Sequence, residues 1–159
     1  ARIAYTDALT HVGNRAAWQS MSAELQNLLD MGKASDVLIS VFDLNNLKIV
    51  NDTAGHEAGD VYLVKAARAI REAFAQSGGC YRTGGDEFVA LLRGRDYENR
   101  AALVEKLIRE SSERAANGGI VVACGLSEYA AGKDRALAEV LERADAAMYE
   151  NKNALKSTD

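Results

Sequence analysis

The residues best suited to chemistry in this chain are two adjacent acids, Asp86 and Glu87. They follow two adjacent glycines, Gly84 and Gly85, and precede an apolar run. Gly-Gly between two strand-like segments predicts a two-residue hairpin with a type I′ turn, which needs positive φ at both central positions. Because side chains alternate along a strand, the two acids are expected to leave the returning strand on opposite sides. Bare glycine backbone beside acids suits a large anion held through a metal, although an ordinary solvated turn has the same pattern.

A further acid, Asp43, follows the nearly all-apolar segment 37–42, which is typical of a central strand covered on both faces. If the hairpin pairs beside this strand, Asp43 and Asp86 meet at one edge of the sheet and repel each other unless a cation lies between them. Ligands that are all oxygen suit Mg²⁺, which also takes phosphate oxygens. The histidines His11 and His56 show no zinc-ligand pattern. The alternative for Asp43 alone is a residue that starts a turn.

Polar residues after this strand offer contacts for a nucleotide. The backbone at 45–48 opens a short predicted helix, whose free N–H groups suit phosphate. Asn51 carries a donor and an acceptor while Asp60 only accepts, a pair that can recognise guanine. Near the end of the chain, Lys152 and Lys156 share a helix face and could neutralise triphosphate oxygens. The alternative is that these polar residues only cap helices, lie on the surface or interact with the helix dipole.

These residues must be positioned by helices and strands in the predicted order α-β-α-α-β-β-α-β-α. The first predicted helix follows an N-cap at Asn14 and runs to about residue 31. The other predicted helices cover 47–53, 57–76, 97–116 and a last stretch capped by Asp134. The predicted strands cover 37–42, the hairpin 80–92, and 120–126. A hairpin between two βα units predicts an α/β (α+β) fold, a ferredoxin-like palm whose mainly antiparallel central sheet is flanked by helices.

The composition limits the class of protein. A chain of 159 residues, 48% hydrophobic and 26% charged, predicts one globular domain. The net charge of −4 argues against a dedicated nucleic-acid binder, since phosphate contacts dominate such affinity. No apolar run approaches the ~20 residues that a membrane helix needs. Cys80 and Cys124 have no metal or disulfide pattern, which favours reduced thiols in a cytoplasmic protein.

Four blocks of sequence carry a family resemblance. Residues 84–88 spell GGDEF, and residues 7–15 contain D-x-L-T followed by N-R. Residues 43–60 contain D-x-x-x-x-K-x-x-N-D and G-H-x-x-G-D, and residues 144–152 contain A-D-x-A-M-Y-x-x-K. In this order and spacing, the chain resembles the GGDEF domain of bacterial diguanylate cyclases, whose palm is shared with other nucleotidyl cyclases.

The resemblance implies a domain over 6–157 that condenses two GTP molecules into cyclic di-GMP and releases two pyrophosphates. It implies two Mg²⁺ ions per active site, for which Mn²⁺ can substitute, held by Asp43, Asp86 and the carbonyl of Leu44. Glu87 is expected to help deprotonate the 3′-hydroxyl or to bind the second metal, with Asp86 as an alternative base. The substrate-binding residues that the resemblance implies are Asn46, Leu47, Lys48, Asn51, Asp60, Gly84, Gly85, Lys152 and Lys156.

The resemblance also implies partners and regulation. Each domain binds one GTP, so product forms in an antiparallel homodimer, and this fragment alone is expected to be largely monomeric and weakly active. Residues 1–5 are expected to end a linker from an upstream sensory domain, in a parent protein that could be attached to a membrane. Many relatives carry an inhibitory R-x-x-D site at 75–78, where Ala-Gln-Ser-Gly predicts no product inhibition through that site. Asp60 predicts GTP as the substrate rather than ATP.

Two other functions fit the same residues. One is a GTP-binding module that regulates a neighbouring domain with little catalysis of its own. The other is a related palm-fold nucleotidyl cyclase or polymerase that makes a different product.

Overall fold

The computed structural model of this chain describes residues 4–44, 47–73 and 79–157, and the side chains of residues 156 and 157 lie outside that description. The predicted order of elements is confirmed, with one additional short helix. The helices are α1 (Arg15–Asp30), α2 (Leu47–Ala54), α3 (His56–Ala73), α4 (Gly94–Glu98), α5 (Arg100–Ala116) and α6 (Leu137–Ser157). The strands are β1 (Leu38–Leu44), β2 (Cys80–Arg82), β3 (Glu87–Leu92) and β4 (Val122–Glu128).

The four strands form one sheet in the order β2-β3-β1-β4, in which every neighbouring pair is antiparallel. This is the strand order of a ferredoxin-like fold, so the predicted palm is confirmed. The central strand is β1, and all of its residues except the half-buried Asp43 are buried. Its β-branched and aromatic residues suit a position covered on both faces.

Helices cover both faces of the sheet. Leu38, Phe42 and Leu44 of β1 belong to the apolar cluster that contains α3 and part of α5. Ile39 and Val41 alternate with them and belong to the cluster that contains α1 and α6. The same alternation puts Asp43 on the face that α1 and α6 cover.

The helix boundaries follow local signals in part. Asn14 caps α1 as predicted, because its side chain accepts a hydrogen bond from Ala17 N at 2.9 Å. The helix predicted over 97–116 is divided at Asn99 into α4 and α5. The end of the helix predicted over 57–76 lies outside the described residues beyond Ala73. In the part of the chain that the structure describes, no helix is both long enough and apolar enough to cross a lipid bilayer.

Two local predictions are wrong. Residues 83–86 connect β2 to β3, and neither Gly84 nor Gly85 has a positive φ, so the connection is not a type I′ turn. Asp134 does not cap α6, which begins at Leu137. Its buried side chain instead accepts from Ala130 N and binds Arg143.

Candidate active site

The register of the sheet brings Asp43 and Glu87 opposite each other. The two strands are antiparallel, so the last residues of β1 meet the first residue of β3. The N–H of Leu44 donates to the carbonyl of Asp86 at 3.1 Å, which extends the pairing into the loop before β3. Backbone pairing therefore joins two acidic segments that lie far apart in sequence, as the sequence predicted for Asp43 and Asp86.

The carboxylates of Asp43 and Asp86 form a strained pair. Burial raises the pKa of Asp86 above its usual range, and the neighbouring charge of Asp43 raises that pKa further. Asp43 Oδ1 is buried and has no hydrogen-bond partner among the described residues. A buried carboxylate oxygen without a partner is costly, so this pair is suited to a positive ligand.

Glu87 faces the same acidic environment. Burial raises its pKa most, followed by the charges of Asp145, Asp43 and Asp86, while Arg15 acts in the opposite direction. The prediction that Asp86 and Glu87 point to opposite sides is wrong, because both line one cavity. Asp86 belongs to the loop rather than to the strand, so strand alternation does not separate the two side chains.

The cavity lies between α1, α6 and the sheet and has a volume of about 600 Å³. Carboxylates dominate its polar lining, and Arg15 adds a cation to it. Its lining residues are Arg15, Trp18, Gln19, Asp43, Thr83, Asp86, Glu87, Val89, Ala138, Leu141, Glu142, Asp145, Met148 and Tyr149.

Helix α6 brings a second cation to this site. Lys152 Nζ donates to Asp43 Oδ2 at 2.8 Å, and this hydrogen bond raises the pKa of Lys152. The helix can approach because Gly125 of β4 has no side chain, since a Cβ there would overlap backbone atoms of Ala144 and Met148. Both residues lie one to two turns before Lys152, so the close packing at Gly125 fixes where this ammonium group lies.

The donor atoms fit a cation that prefers oxygen. Asp43 and Asp86 supply carboxylates, and Oδ1 of Asp43 is buried without a hydrogen-bond partner among the described residues. Among the described residues, no group of three or more His, Cys, Asp or Glu side chains is arranged to hold a metal ion. A metal here would therefore need oxygens from backbone, water or substrate as well, which is the usual coordination of Mg²⁺.

The loop that carries Asp86 is braced from two sides. Arg82 donates to the carbonyl of Gly85 through Nε at 3.2 Å and Nη2 at 2.8 Å. The same guanidinium forms an ion pair with Asp7 at 3.3 Å. Arg15 Nη1 donates to the carbonyl of Thr83 at 3.2 Å. The N-terminal segment and α1 therefore hold the backbone on which the acids stand.

The predicted guanine-binding residues form a separate group on α2 and α3. Asn51 is half-buried, and Asp60 is exposed at the start of α3, one residue after the buried Gly59. Neither side chain has a hydrogen bond to another residue in the described ranges. Neither lines the acidic cavity, and the exposed Lys48 does not line it either.

Some predicted residues are not covered, and some functional candidates were missed. Asn46, the inhibitory window 75–78 and the side chain of Lys156 lie outside the described residues. No role was predicted for Arg15, Arg82 or Asp145, although the first and the last stand within the blocks that carry the family resemblance. Arg82 directly precedes Thr83 and the two glycines, and that position is the signal that could have identified it.

The family model described as diguanylate cyclase, GGDEF domain, matches residues 4–158. The match covers nearly the whole chain, so the chain belongs to this family.

Named relatives and solved structures agree with this family. The chain is 31% identical over 148 residues to diguanylate cyclase DgcS of Shewanella oneidensis, covering 92% of the chain and 49% of the relative. It is 34% identical over 154 residues to diguanylate cyclase DgcP of Pseudomonas aeruginosa, covering 95% of the chain and 23% of the relative. The chain therefore spans half or less of the length of these relatives.

A solved structure aligns over almost its full length. It is the GGDEF domain of DgcB from Caulobacter crescentus in complex with c-di-GMP, with a TM-score of 0.77 and 30% identity. The alignment covers 97% of this chain and 93% of that chain. The two chains therefore agree in fold over almost their whole length.

Proposed function

We propose that this domain, over residues 6–157, is a diguanylate cyclase that condenses two GTP molecules into cyclic di-GMP and two pyrophosphates. The observation that carries the proposal is the convergence of Asp43, Asp86 and Glu87 at one edge of the sheet. Family membership and the named relatives support the same activity.

The proposed metal ligands are the carboxylates of Asp43 and Asp86 and the carbonyl of Leu44, with two Mg²⁺ ions per active site. When bound, Mg²⁺ supplies charge neutralisation at the phosphates and lowers the pKa of the attacking 3′-hydroxyl. The raised pKa of Asp86 and the unpartnered oxygen of Asp43 support this assignment, since a cation would relieve both. Lys152 supplies a positive charge beside Asp43 from which it can contact triphosphate oxygens.

Glu87 is proposed to accept the proton of the 3′-hydroxyl or to complete the second metal position. Its raised pKa makes it a stronger base than an exposed glutamate, which suits the first role. Its position opposite Asp43 suits the second role. Asp86 remains the alternative base.

GTP is the proposed substrate. Asn51 and Asp60 would hold the guanine, and the backbone of Asn46, Leu47 and Lys48 would hold the triphosphate at the start of α2. Gly84 and Gly85 would lie beneath the phosphates. At Gly85 a Cβ would meet nothing within 4 Å, so this part of the loop borders open space.

The proposed active form is an antiparallel homodimer, because each domain would supply one GTP and the product joins two of them. Bringing two bound substrates together is then the main regulated step. We propose that an upstream sensory domain controls this pairing. The greater length of the curated relatives supports a larger parent protein.

The test is to force pairing by fusing the domain to a parallel leucine zipper and to supply GTP with Mg²⁺. Cyclic di-GMP, identified by chromatography and mass, is expected from the fused protein at a rate well above that of the unfused domain. The matched control is Glu87→Gln in the same fusion. GTP binding without any product would support a regulatory GTP-binding module instead, and mixed products from GTP with ATP would support a different nucleotidyl cyclase.

A further inference from the structure

Gly59, in the first turn of α3, occupies a place where a side chain cannot fit beside Asn51. A Cβ atom at position 59 would overlap Asn51 Oδ1 and would come within 2.8 Å of Asn51 Cγ. Gly59 is buried, and the Asn51 side chain occupies the space beside it. The amide of Asn51 therefore packs directly on the backbone of α3.

Two backbone hydrogen bonds set this contact. The carbonyl of Asn51 accepts from Gly55 N at 3.0 Å, and the carbonyl of Gly55 accepts from Gly59 N at 3.2 Å. Gly55 itself has a φ of 90°, which turns the chain from α2 into α3. The connection between the helices thus brings Asn51 against the residue that precedes Asp60.

Backbone conformation does not explain the glycine at position 59. Gly59 lies within a helix and does not have a positive φ, so any residue could adopt its dihedral angles. Glycine also weakens a helix relative to alanine. Space for the Asn51 amide is the physical reason that remains.

We propose that Gly59 is a positioning residue for substrate specificity, an inference that rests on the proposed function. By leaving room for the Asn51 amide on α3, it holds this donor and acceptor group beside the Asp60 carboxylate. Asn51 has no side-chain hydrogen bond within the described residues, so packing on Gly59 is what orients it. The two side chains together can then form hydrogen bonds with the N1–H, N2–H₂ and N3 atoms of a guanine ring.

The test is the substitution Gly59→Ala, measured by calorimetric titration with a non-hydrolysable GTP analogue and with its ATP counterpart. The expected result is an affinity for the GTP analogue at least about tenfold weaker, since a displaced amide loses its hydrogen bonds to the base. The preference for GTP over ATP should shrink, while Tm stays unchanged or rises because alanine favours the helix. Val61→Ala, an exposed residue on the same helix, is the matched control and should bind normally.

A double-mutant cycle separates positioning from general damage. If Gly59 acts through Asn51, the variant Gly59→Ala with Asn51→Ala should bind the GTP analogue as weakly as Asn51→Ala alone and should fold. Strictly additive losses, or a double variant that fails to fold, would overturn the inference. Normal GTP binding by Gly59→Ala would also overturn it, whereas an unaltered chain that binds no GTP analogue would overturn the proposed function itself.

Discussion

The ammonium group of Lys152 lies 2.8 Å from Oδ2 of Asp43, a contact that joins α6 to the end of β1 across 109 positions of sequence. Both side chains are mostly buried, at 25% and 13% exposure. The positive charge of Lys152 would therefore compete with a metal ion for the carboxylate of Asp43.

Replacing Lys152 with methionine should have opposite effects on metal and nucleotide. Without nucleotide, Mg²⁺ or Mn²⁺ should bind more tightly, because the competing cation at Asp43 is gone. The GTP analogue should bind about tenfold more weakly, since a charged contact to phosphate is lost. Calorimetric titration measures both. Lys106→Met, on α5 away from the acidic cavity, is the control, and weaker metal binding by Lys152→Met would contradict the interpretation.

Asp86→Asn should stabilise the metal-free domain while it removes activity. The pKa of Asp86 is raised in the folded state, so the folded chain retains a proton that the unfolded chain has released above the usual pKa of about 4. The free energy of unfolding of the unaltered domain should therefore fall as pH rises from the usual carboxyl pKa to the raised pKa of Asp86 in the folded state.

Melting curves at pH 4 and pH 7, a range that begins at the usual carboxyl pKa, measure this effect. The variant should show a smaller loss of Tm between them and should gain less from added Mg²⁺. Its cyclase rate should fall by about a hundredfold or more, because a proposed metal ligand is lost. Asp96→Asn, in the short helix α4, is the control. An equal decline of Tm with pH in Asp86→Asn would show that Asp86 is not the source.

Arg82→Lys should slow the reaction more than it weakens substrate binding. A lysine cannot bind Asp7 and donate twice to the Gly85 carbonyl, so the loop that carries Asp86 loses its brace. We expect kcat to fall about tenfold, in line with loss of a residue that orients catalytic groups. Steady-state kinetics on the fused dimer would measure it, with the exposed Arg95→Lys as control. A change confined to KM would argue against a role in placing the loop.

Asp134→Asn should alter stability in acid. Hydrogen bonding to Arg143 holds the pKa of Asp134 at about 2, although burial opposes this. A lowered carboxyl pKa contributes stability above the unfolded value of about 4, and that stability is lost as pH falls toward 2. Urea unfolding between pH 5 and pH 2.5 should show a shallower decline in the variant. Its free energy of unfolding at pH 7 should drop by about 2 kcal/mol, because charged hydrogen bonds are lost.

Asp60→Ser should loosen the preference for guanine. Serine keeps a small polar group at the start of α3 but removes the ionised acceptor that would hold the donors of a guanine ring. Competition between GTP and ATP analogues should show discrimination reduced by about tenfold, the cost of one charged hydrogen bond. The same titration on Asp52→Ser, an exposed acid of α2, serves as control. Unchanged discrimination would remove Asp60 from base recognition.

The sequence was sufficient to predict the strand order and to identify the main acidic residues of the site. Apolar runs such as 37–42 fix which strand is central, and the palm topology then brings Asp43 near Asp86. The connection at Gly84 and Gly85 was predicted wrongly because local turn statistics ignore distant contacts. Its conformation depends on Arg82, whose partner Asp7 lies 75 positions away.

Tertiary packing also explains the residues that the sequence did not reveal. Arg15 and Asp145 enter the cavity because α1 and α6 pack on the same face of the sheet, and no spacing along either helix indicates this. Asp134 was expected to cap a helix, but it pairs with Arg143, nine positions along. The ion pair between the buried Asp134 and the half-exposed Arg143 outweighed the local preference for a cap.

If the proposed metal site is correct, the pairing of Asp43 with Glu87 makes metal affinity a measure of correct folding. A slip of β3 by one position would turn Glu87 toward α3 and α5 and bring Phe88 into its place. A misregistered form would thus lack Glu87 beside Asp43. Divalent cations should then select the native ensemble from a mixture, which would let them act as folding ligands for this domain even when no nucleotide is present.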